Sequence, residues 1–291
     1  MSAAPASGPT DPARYIDFHA HTTASDGTAS PEGLVAAAKS AGLSAIAVTD
    51  HDTLGGVPAA RLAGERLGIA IVAGVELSAQ LPDRELHLLG LHIDRLDVME
   101  EQLVRFRDTR RWRAEQIIEK LHALSVPVTL EAVLREAGAG AIGRPHVARA
   151  IIAGGWVRDF REAFDRYLGH GRPAYVEKHR LTIPDAIALV HRSGGLAVLA
   201  HPGADGDRAR LEPLVEAGLD GVEVRHPSHS AEDILRLQAL ADFFDLVPSG
   251  GSDWHGALTG PRTIGNMRVP HEWLLRQQAR VNARRARERV A

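Results

Sequence analysis

The sequence contains no cysteine, which excludes disulfide bonds, thiolate nucleophiles and zinc–thiolate sites. A thiol-free chain suits a reducing cytoplasm, the compartment expected here. Long apolar runs are missing too: none approaches the roughly 20 residues needed to cross a bilayer, so no membrane segment is expected. Residues 1–13 are small, polar and proline-rich, with neither a basic start nor an apolar centre. They read as a disordered leader, not a signal peptide. Excess positive charge is also lacking. The 34 Lys and Arg against 37 Asp and Glu leave a formal net charge of −3, whereas a protein gripping long nucleic acid through its overall field is clearly basic. Any nucleic-acid substrate is therefore small, or held by local charge.

What is present is histidine, 15 of them in 291 residues, in a chain 44% hydrophobic. That is enough apolar material for one large core, or a core and a smaller lobe. Short apolar runs at 15–18, 44–48, 69–75 and 85–91 alternate with helical patterns at 31–41 and 59–67. Ser30-Pro31-Glu32 supplies a cap, a first-turn proline and an early carboxylate, and Gly42 ends that helix. From residue 97 the pattern becomes helical, with segments at 97–124, 129–137, 145–153 and 159–168. Thr182 then caps a further helix, and apolar runs return at 196–200, 221–224 and 246–248, separated by helices at 211–217 and 231–244. The alternation of strand and helix predicts βα units around a buried parallel sheet. The organisation is read as a leader (1–13), a first barrel part (14–96), a helical insertion or cap (97–174), a second barrel part (175–270) and a basic, solvated C-terminal helix (271–291).

Chemistry on such sheets collects at the carboxyl ends of the strands. The first run delivers His19 and His21, and the loop beyond it Asp26. The second ends in Thr49-Asp50-His51 and the third in Gly74-Val75-Glu76. The fourth carries His87, the run after the insertion ends in His201-Pro202, and the last leads into Asp253-Trp254-His255. Alternate residues of an extended segment share a face, so His19 with His21, and Asp253 with His255, can each converge. Taken singly, each motif has an ordinary explanation: an exposed histidine pair, a helix cap at Asp50, a core histidine at 87, a structural ion pair at Glu76. One metal cluster explains all nine together. Imidazole and carboxylate donors without sulfur suit Mn²⁺, Fe²⁺ or Zn²⁺.

The motifs Asp17-Phe18-His19-Ala20-His21, Ser25-Asp26-Gly27, Thr49-Asp50-His51-Asp52, Gly74-Val75-Glu76, His87-Leu88-Leu89-Gly90, Ala200-His201-Pro202 and Ser252-Asp253-Trp254-His255 resemble, in the same order, those of the PHP (polymerase and histidinol phosphatase) family. The resemblance implies an α/β fold, a distorted (β/α)7 barrel with an inserted helical cap, and three divalent metal ions, Mn²⁺ foremost. It further implies three sub-sites: His19, His21, Glu76 and Asp253; Glu76, His87 and His201; Asp26, His51 and His255, with Glu76 bridging. Within the family the chain is most similar to stand-alone phosphoesterases that remove the 3′-phosphate of 3′,5′-bisphosphonucleotides, some of which degrade short RNA from its 5′ end. That likeness rests on the insertion, on Gly143-Arg144-Pro145-His146, and on Gly221-Val222-Glu223-Val224 followed by Ser228-His229-Ser230. The implied partner is a small nucleotide or short RNA, with no obligate protein partner. Histidinol-phosphate phosphatase is the alternative enzyme, and a non-catalytic metal-bound module the alternative outside catalysis.

Hydrolysis of a phosphate monoester dianion is intrinsically among the slowest of reactions, and bound metal ions supply a deprotonated water and neutralise phosphoryl charge. On this reading Asp26 and Glu76 are catalytic through the ions they hold. His229 is the candidate for protonating the leaving group or binding phosphate. Arg144 and His146 sit in a Gly/Pro-shaped turn from which a guanidinium can fork onto a second phosphate. Lys178 and Arg225 are further phosphate candidates.

Overall fold

A computed structural model describes residues 15–81, 84–138, 142–177 and 181–288, so the expected leader lies outside them. The chain begins with β1 (Tyr15–Asp17), α1 (Pro31–Ser40), β2 (Ala45–Val48), α2 (Val57–Leu67), β3 (Ala70–Gln80) and β4 (Glu85–Leu91). Four helices follow: α3 (Leu96–Ala123), α4 (Leu130–Ala137), α5 (Arg144–Ala153) and α6 (Phe160–Ala163), the last running into a π-turn at Phe164–Leu168. The rest comprises β5 (Leu181–Thr182), α7 (Ile183–Arg192), β6 (Leu196–Leu199), α8 (Arg208–Glu216), β7 (Gly221–Arg225), α9 (Ala231–Phe243), β8 (Val247–Gly250), β9 (Val269–Pro270) and α10 (His271–Glu288). The seven expected strands are all present; β5 and β9, two residues each, are additions too short to leave a periodic signal.

Strand order is β8-β7-β6-β4-β3-β2-β1-β9, with β5 on β3. The two ends of this sheet meet. Phe18 N–H donates to Gly250 O at 3.0 Å and His21 N–H to Trp254 O at 2.8 Å, which nearly closes the sheet into a barrel. The expectation of uniformly parallel strands needs correction, because β4 runs antiparallel to both β3 and β6. The cause is the connection: Leu81 N–H bonds Arg84 O across a hairpin, and so short a link cannot make the crossover that a parallel pair requires. The beginning of β4 therefore shares a rim with the carboxyl ends of its neighbours. His87, opposite Ser78 on β3, reaches the site for that reason.

The sheet and its helices share one apolar core, in which Phe18, Ile46, Val75, Leu89, Val198 and Val222 are at most 1% exposed. Helices clad the sheet outside. In α1, Ser30 Oγ accepts the Gly33 N–H at 3.1 Å and Pro31 opens the first turn. Its apolar face buries Leu34, Val35 and Ala38, the first two worth about 1.5–3 kcal/mol each. The C-terminal helix is basic, as expected, but its inner face is docked. Trp273 and Leu274 join the barrel core, Gln277 Nε2 donates to Pro248 O, and the Arg285 guanidinium donates to His92 O and Gly194 O. It closes the end of the barrel opposite the histidines.

The insertion has its own core, in which Ile117 and Leu121 of α3 pack with Val133, Val147, Ile151 and Leu168. The other end of α3 sends Met99 and Leu103 into the barrel core. One helix thus belongs to both.

Candidate metal centre

The rim is organised by buried polar groups that hold the ligand-bearing loops. Asp17, at the end of β1, accepts the backbone N–H groups of His19, Ser252 and Gly265 at 3.0–3.2 Å. Asp50, just past β2, accepts from Thr22 N–H, Thr22 Oγ and Ser25 Oγ at 2.6–2.8 Å, which gathers the turn carrying Asp26. At Gly27 in that turn a Cβ would lie 2.6 Å from the His21 carbonyl, so only glycine fits. His201 and Asp253 both sit at positive φ, 30° and 50°, a sparsely populated region that persists only where surrounding contacts impose it.

Five imidazoles converge on one buried carboxylate. Glu76 Oε2 lies 3.2 Å from nitrogens of His19, His21 and His51, and Oε1 lies 2.8 Å from His87 and 3.0 Å from His201. Asp253 Oδ1 stands 3.2 Å from His21 and 3.5 Å from His19. Asp26, half exposed at the mouth, is 3.2 Å from His255 and 3.8 Å from His51 and His21. All nine sequence-expected ligands thus share one site. Donor atoms of seven of the nine fall into sets within 4.8 Å of one another: His21, Asp26, His51 and His255; His19, His21 and Glu76; His51, Glu76 and His87.

The electrostatics ask for cations. Burial opposes protonation of His19, yet Glu76 and Glu223 together raise it to about 10. Burial is likewise the main influence on His21 and His51, and it lowers both. They are neutral at pH 7 and keep lone pairs for coordination. His21 and His255 stack with centroids 4.2 Å apart, a contact two imidazolium rings would resist. The positive groups set against the buried carboxylates of Glu76, Glu223 and Asp253 are protonated His19, His87, raised against burial by Glu76, and Arg262, bonded to Asp253. A buried carboxylate left without such a partner costs several kcal/mol. His21 Nδ1 is buried with no hydrogen-bond partner. An imidazole–carboxylate set with an orphaned, inward-facing nitrogen fits divalent metal ions.

Two residues of the site were not anticipated as ligands. Glu223, fully buried on β7, faces His19 Nδ1 at 3.2 Å and accepts the His201 N–H at 2.7 Å. It orients the His19 ring in the way carboxylates behind metal-binding histidines do, and it fixes the backbone that carries His201. His226 is also buried, 3.4 Å from Asp253 Oδ2; burial pushes it down to about 4. His19, Glu223 and His226 form a further possible donor set. The signal for Glu223 was in the sequence: a carboxylate inside the apolar run Gly221-Val222-Glu223-Val224 must be paired to be buried.

The substrate-binding candidates are engaged in other contacts. Arg144 donates to Leu168 O and stacks over Phe164 and Tyr175 inside the insertion. His146 Nδ1 accepts the Gly143 N–H, capping α5. Arg225 donates to Met267 O and Arg268 O over the Trp273 ring. His229 has both ring nitrogens committed to backbone, Nδ1 to Val224 O and Nε2 to the Gly203 N–H, which leaves no free N–H for a leaving group. Lys178 lies outside the described residues. The guanidinium that does stand at the mouth is Arg262, bonded to Asp253 Oδ2 and lining a cleft of about 310 Å³ with Ser228, His51 and His201.

Metal binding to the folded chain alone adds stability, about 4 kcal/mol at a thousandfold excess over Kd. Thermal melts with and without Mn²⁺ should therefore separate widely at pH 7. Since His21 and His51 are held neutral in the fold and take up protons more readily when unfolded, acid opposes folding and metal binding alike. The gap between the melts should narrow as pH falls below about 6.5. A gap that is absent, or widens in acid, would rule out histidine ligation.

Comparison with known proteins places this arrangement. The sequence profile of the PHP domain matches residues 17–177. The 5′-3′ exoribonuclease Rnm of Escherichia coli is 39% identical over 254 residues, covering 84% of this chain and 87% of that protein. The 3′,5′-nucleoside bisphosphate phosphatase of Chromobacterium violaceum is 34% identical over 258 residues, covering 86% and 90%. A crystal structure from Bifidobacterium adolescentis, described as a metal-dependent phosphoesterase, superposes with a TM-score of 0.71 at 31% identity, covering 92% of this chain and 97% of that one.

Proposed function

The chain belongs to the PHP domain family, and from that premise we propose that it is a metal-dependent phosphoesterase acting on small nucleotides. Its foremost substrate is the 3′-phosphate of 3′,5′-bisphosphonucleotides, with 5′-3′ trimming of short RNA as a second activity of the same site. The observation that carries this reading is Glu76, a buried carboxylate ringed by His19, His21, His51, His87 and His201. Similarity to the exoribonuclease and the bisphosphate phosphatase, each over more than four-fifths of this chain, supports the nucleotide assignment.

Three ions, Mn²⁺ foremost, are assigned to His19, His21, Glu76 and Asp253, to Glu76, His87 and His201, and to Asp26, His51 and His255. When bound they supply a water deprotonated near neutral pH and neutralise the phosphoryl oxygens. The remaining work falls to the chain. Glu76 holds two sub-sites at fixed separation, Glu223 keeps the His19 ring aimed inward, and Arg262 at the mouth takes a phosphoryl oxygen. No protein nucleophile is needed. The helical insertion is assigned as a cap, with Arg144 and His146 shaping it.

The test is phosphate release with Mn²⁺ from adenosine 3′,5′-bisphosphate, 5′-AMP, histidinol phosphate and 5′-phosphorylated oligoribonucleotides, with metal content measured on the same sample. The bisphosphate should be turned over at least about tenfold faster than AMP, a difference of about 1.4 kcal/mol. Histidinol phosphate as the best substrate would overturn the nucleotide assignment. Full metal loading with no phosphate release from any compound would leave a metal-bound module without activity.

A further inference from the structure

Beside the metal centre, behind His87 and His201, lies a second pocket of about 500 Å³, a volume ordinary for a small-molecule site. Its walls are aliphatic: Leu86 of β4, Leu199 of β6, Leu214 of α8, and Pro202. Its rim is polar, because Asp205 joins Arg84 at 2.9 Å to Arg210 at 2.6 Å. The two metal-facing histidines line this pocket and the catalytic cleft alike, so one ligand can occupy both. Every described lining residue belongs to the barrel, and none to the insertion.

We propose that this pocket receives the nucleobase of the substrate whose phosphate lies at Glu76. The inference rests on the phosphoesterase reading and names what surrounds it. A ligand spanning the two cavities must be anionic at one end. At the other it needs apolar faces to lie between leucine and proline side chains, with polar edges to meet the Arg84–Asp205–Arg210 rim. A purine or pyrimidine joined through ribose to a phosphate has that distribution. A lipid chain has no polar edge for such a rim, and a free phosphate or sugar phosphate leaves the aliphatic walls uncovered. Leucine and proline walls also carry no side-chain hydrogen-bonding groups, so they select for a flat ring and leave any discrimination among bases to the rim.

The test uses the metal-loaded, full-length protein and the variant Pro213→Trp. Pro213 lines the pocket, is exposed and lies inside α8, so its replacement relieves a helix and fills the pocket with an indole. KM for adenosine 3′,5′-bisphosphate should rise about tenfold in the variant. KM for the abasic ribose 3,5-bisphosphate should shift less than about twofold, because that compound leaves the pocket empty. Independently of turnover, adenosine should show saturation transfer from the wild-type protein to its base protons, and the variant should abolish it. Equal changes in KM for the two bisphosphates, or an adenosine signal that is absent in the wild type or survives Pro213→Trp, would overturn the pocket assignment. Loss of adenosine binding in the variant, with no hydrolysis of either compound by the wild type, would uphold the pocket and overturn the phosphoesterase reading instead.

Discussion

Glu76→Gln is expected to lower phosphate release by at least about a thousandfold and to deplete bound metal, with little change in volume or packing. Glutamine preserves the shape of the side chain and removes its charge. Two or three of the five imidazole nitrogens around Glu76, according to which oxygen is replaced, would then face an amide N–H₂ in place of a carboxylate oxygen. The Coulombic attraction that helps raise His19 to about 10 would shrink to that of Glu223 alone. The metal sub-sites on either side of Glu76 lose their common anion together, so the defect should appear in metal stoichiometry as well as in rate. Asp26→Ala is the informative companion. Asp26 is half exposed at the mouth, so its removal should cost turnover and part of the metal while leaving the melting temperature of the stripped protein nearly unchanged. Phosphate release and elemental analysis on the same preparations decide the matter. Near-wild-type turnover in either variant would sink the cluster.

The second large effect is expected at a residue with no chemistry. A Cβ added to Gly251 would lie 2.4 Å from both the backbone nitrogen and the Cβ of His19, and 2.7 Å from Asp17 Oδ1. No rotamer change relieves a contact with backbone, so the seam between β1 and β8 must part. Gly251→Ala should destabilise the protein by about 3 kcal/mol, a fall in Tm of about 6–12 °C, and should weaken metal binding by displacing His19. Gly42→Ala is the control: Gly42 has positive φ, but a methyl group there would meet nothing within 4 Å, so its cost is confined to backbone strain, about 1 kcal/mol. Calorimetric melts with and without Mn²⁺ distinguish the two. Equal losses would mean that the seam tolerates separation.

Much of this was readable from the sequence, for reasons that also explain the exceptions. Strand ends are marked by the apolar runs that precede them, and metal-binding residue types clustered there because coordination needs donors from several strands at one rim. Strand direction carries no such mark in periodicity. The antiparallel course of β4 followed instead from the brevity of its link to β3, a signal present in the spacing. Glu223 was legible as a carboxylate within an apolar strand, but its role was not, because it bears on the site through His19. The substrate-binding candidates fared differently because a lone Arg or His has several ways to be satisfied. Arg144, Arg225 and His229 are all tied to backbone carbonyls, contacts that depend on how distant segments pack and leave no trace in local sequence.

The seam that Gly251 guards also dictates when the site can exist. Asp17 is bound by the amide of Ser252, 235 residues further along the chain, and His19 meets Glu223 across 204. Contacts of such separation are slow to form, because the chain entropy lost in closing the loop precedes any gain. During synthesis the first strands emerge carrying His19, His21, His51, Glu76 and His87 well before Asp253 and His255 follow. A nascent chain therefore carries a partial, open set of ligands until β8 and the loop after it have emerged. The complete centre can form only once β8 is seated beside β1, which makes metal capture a late event in folding.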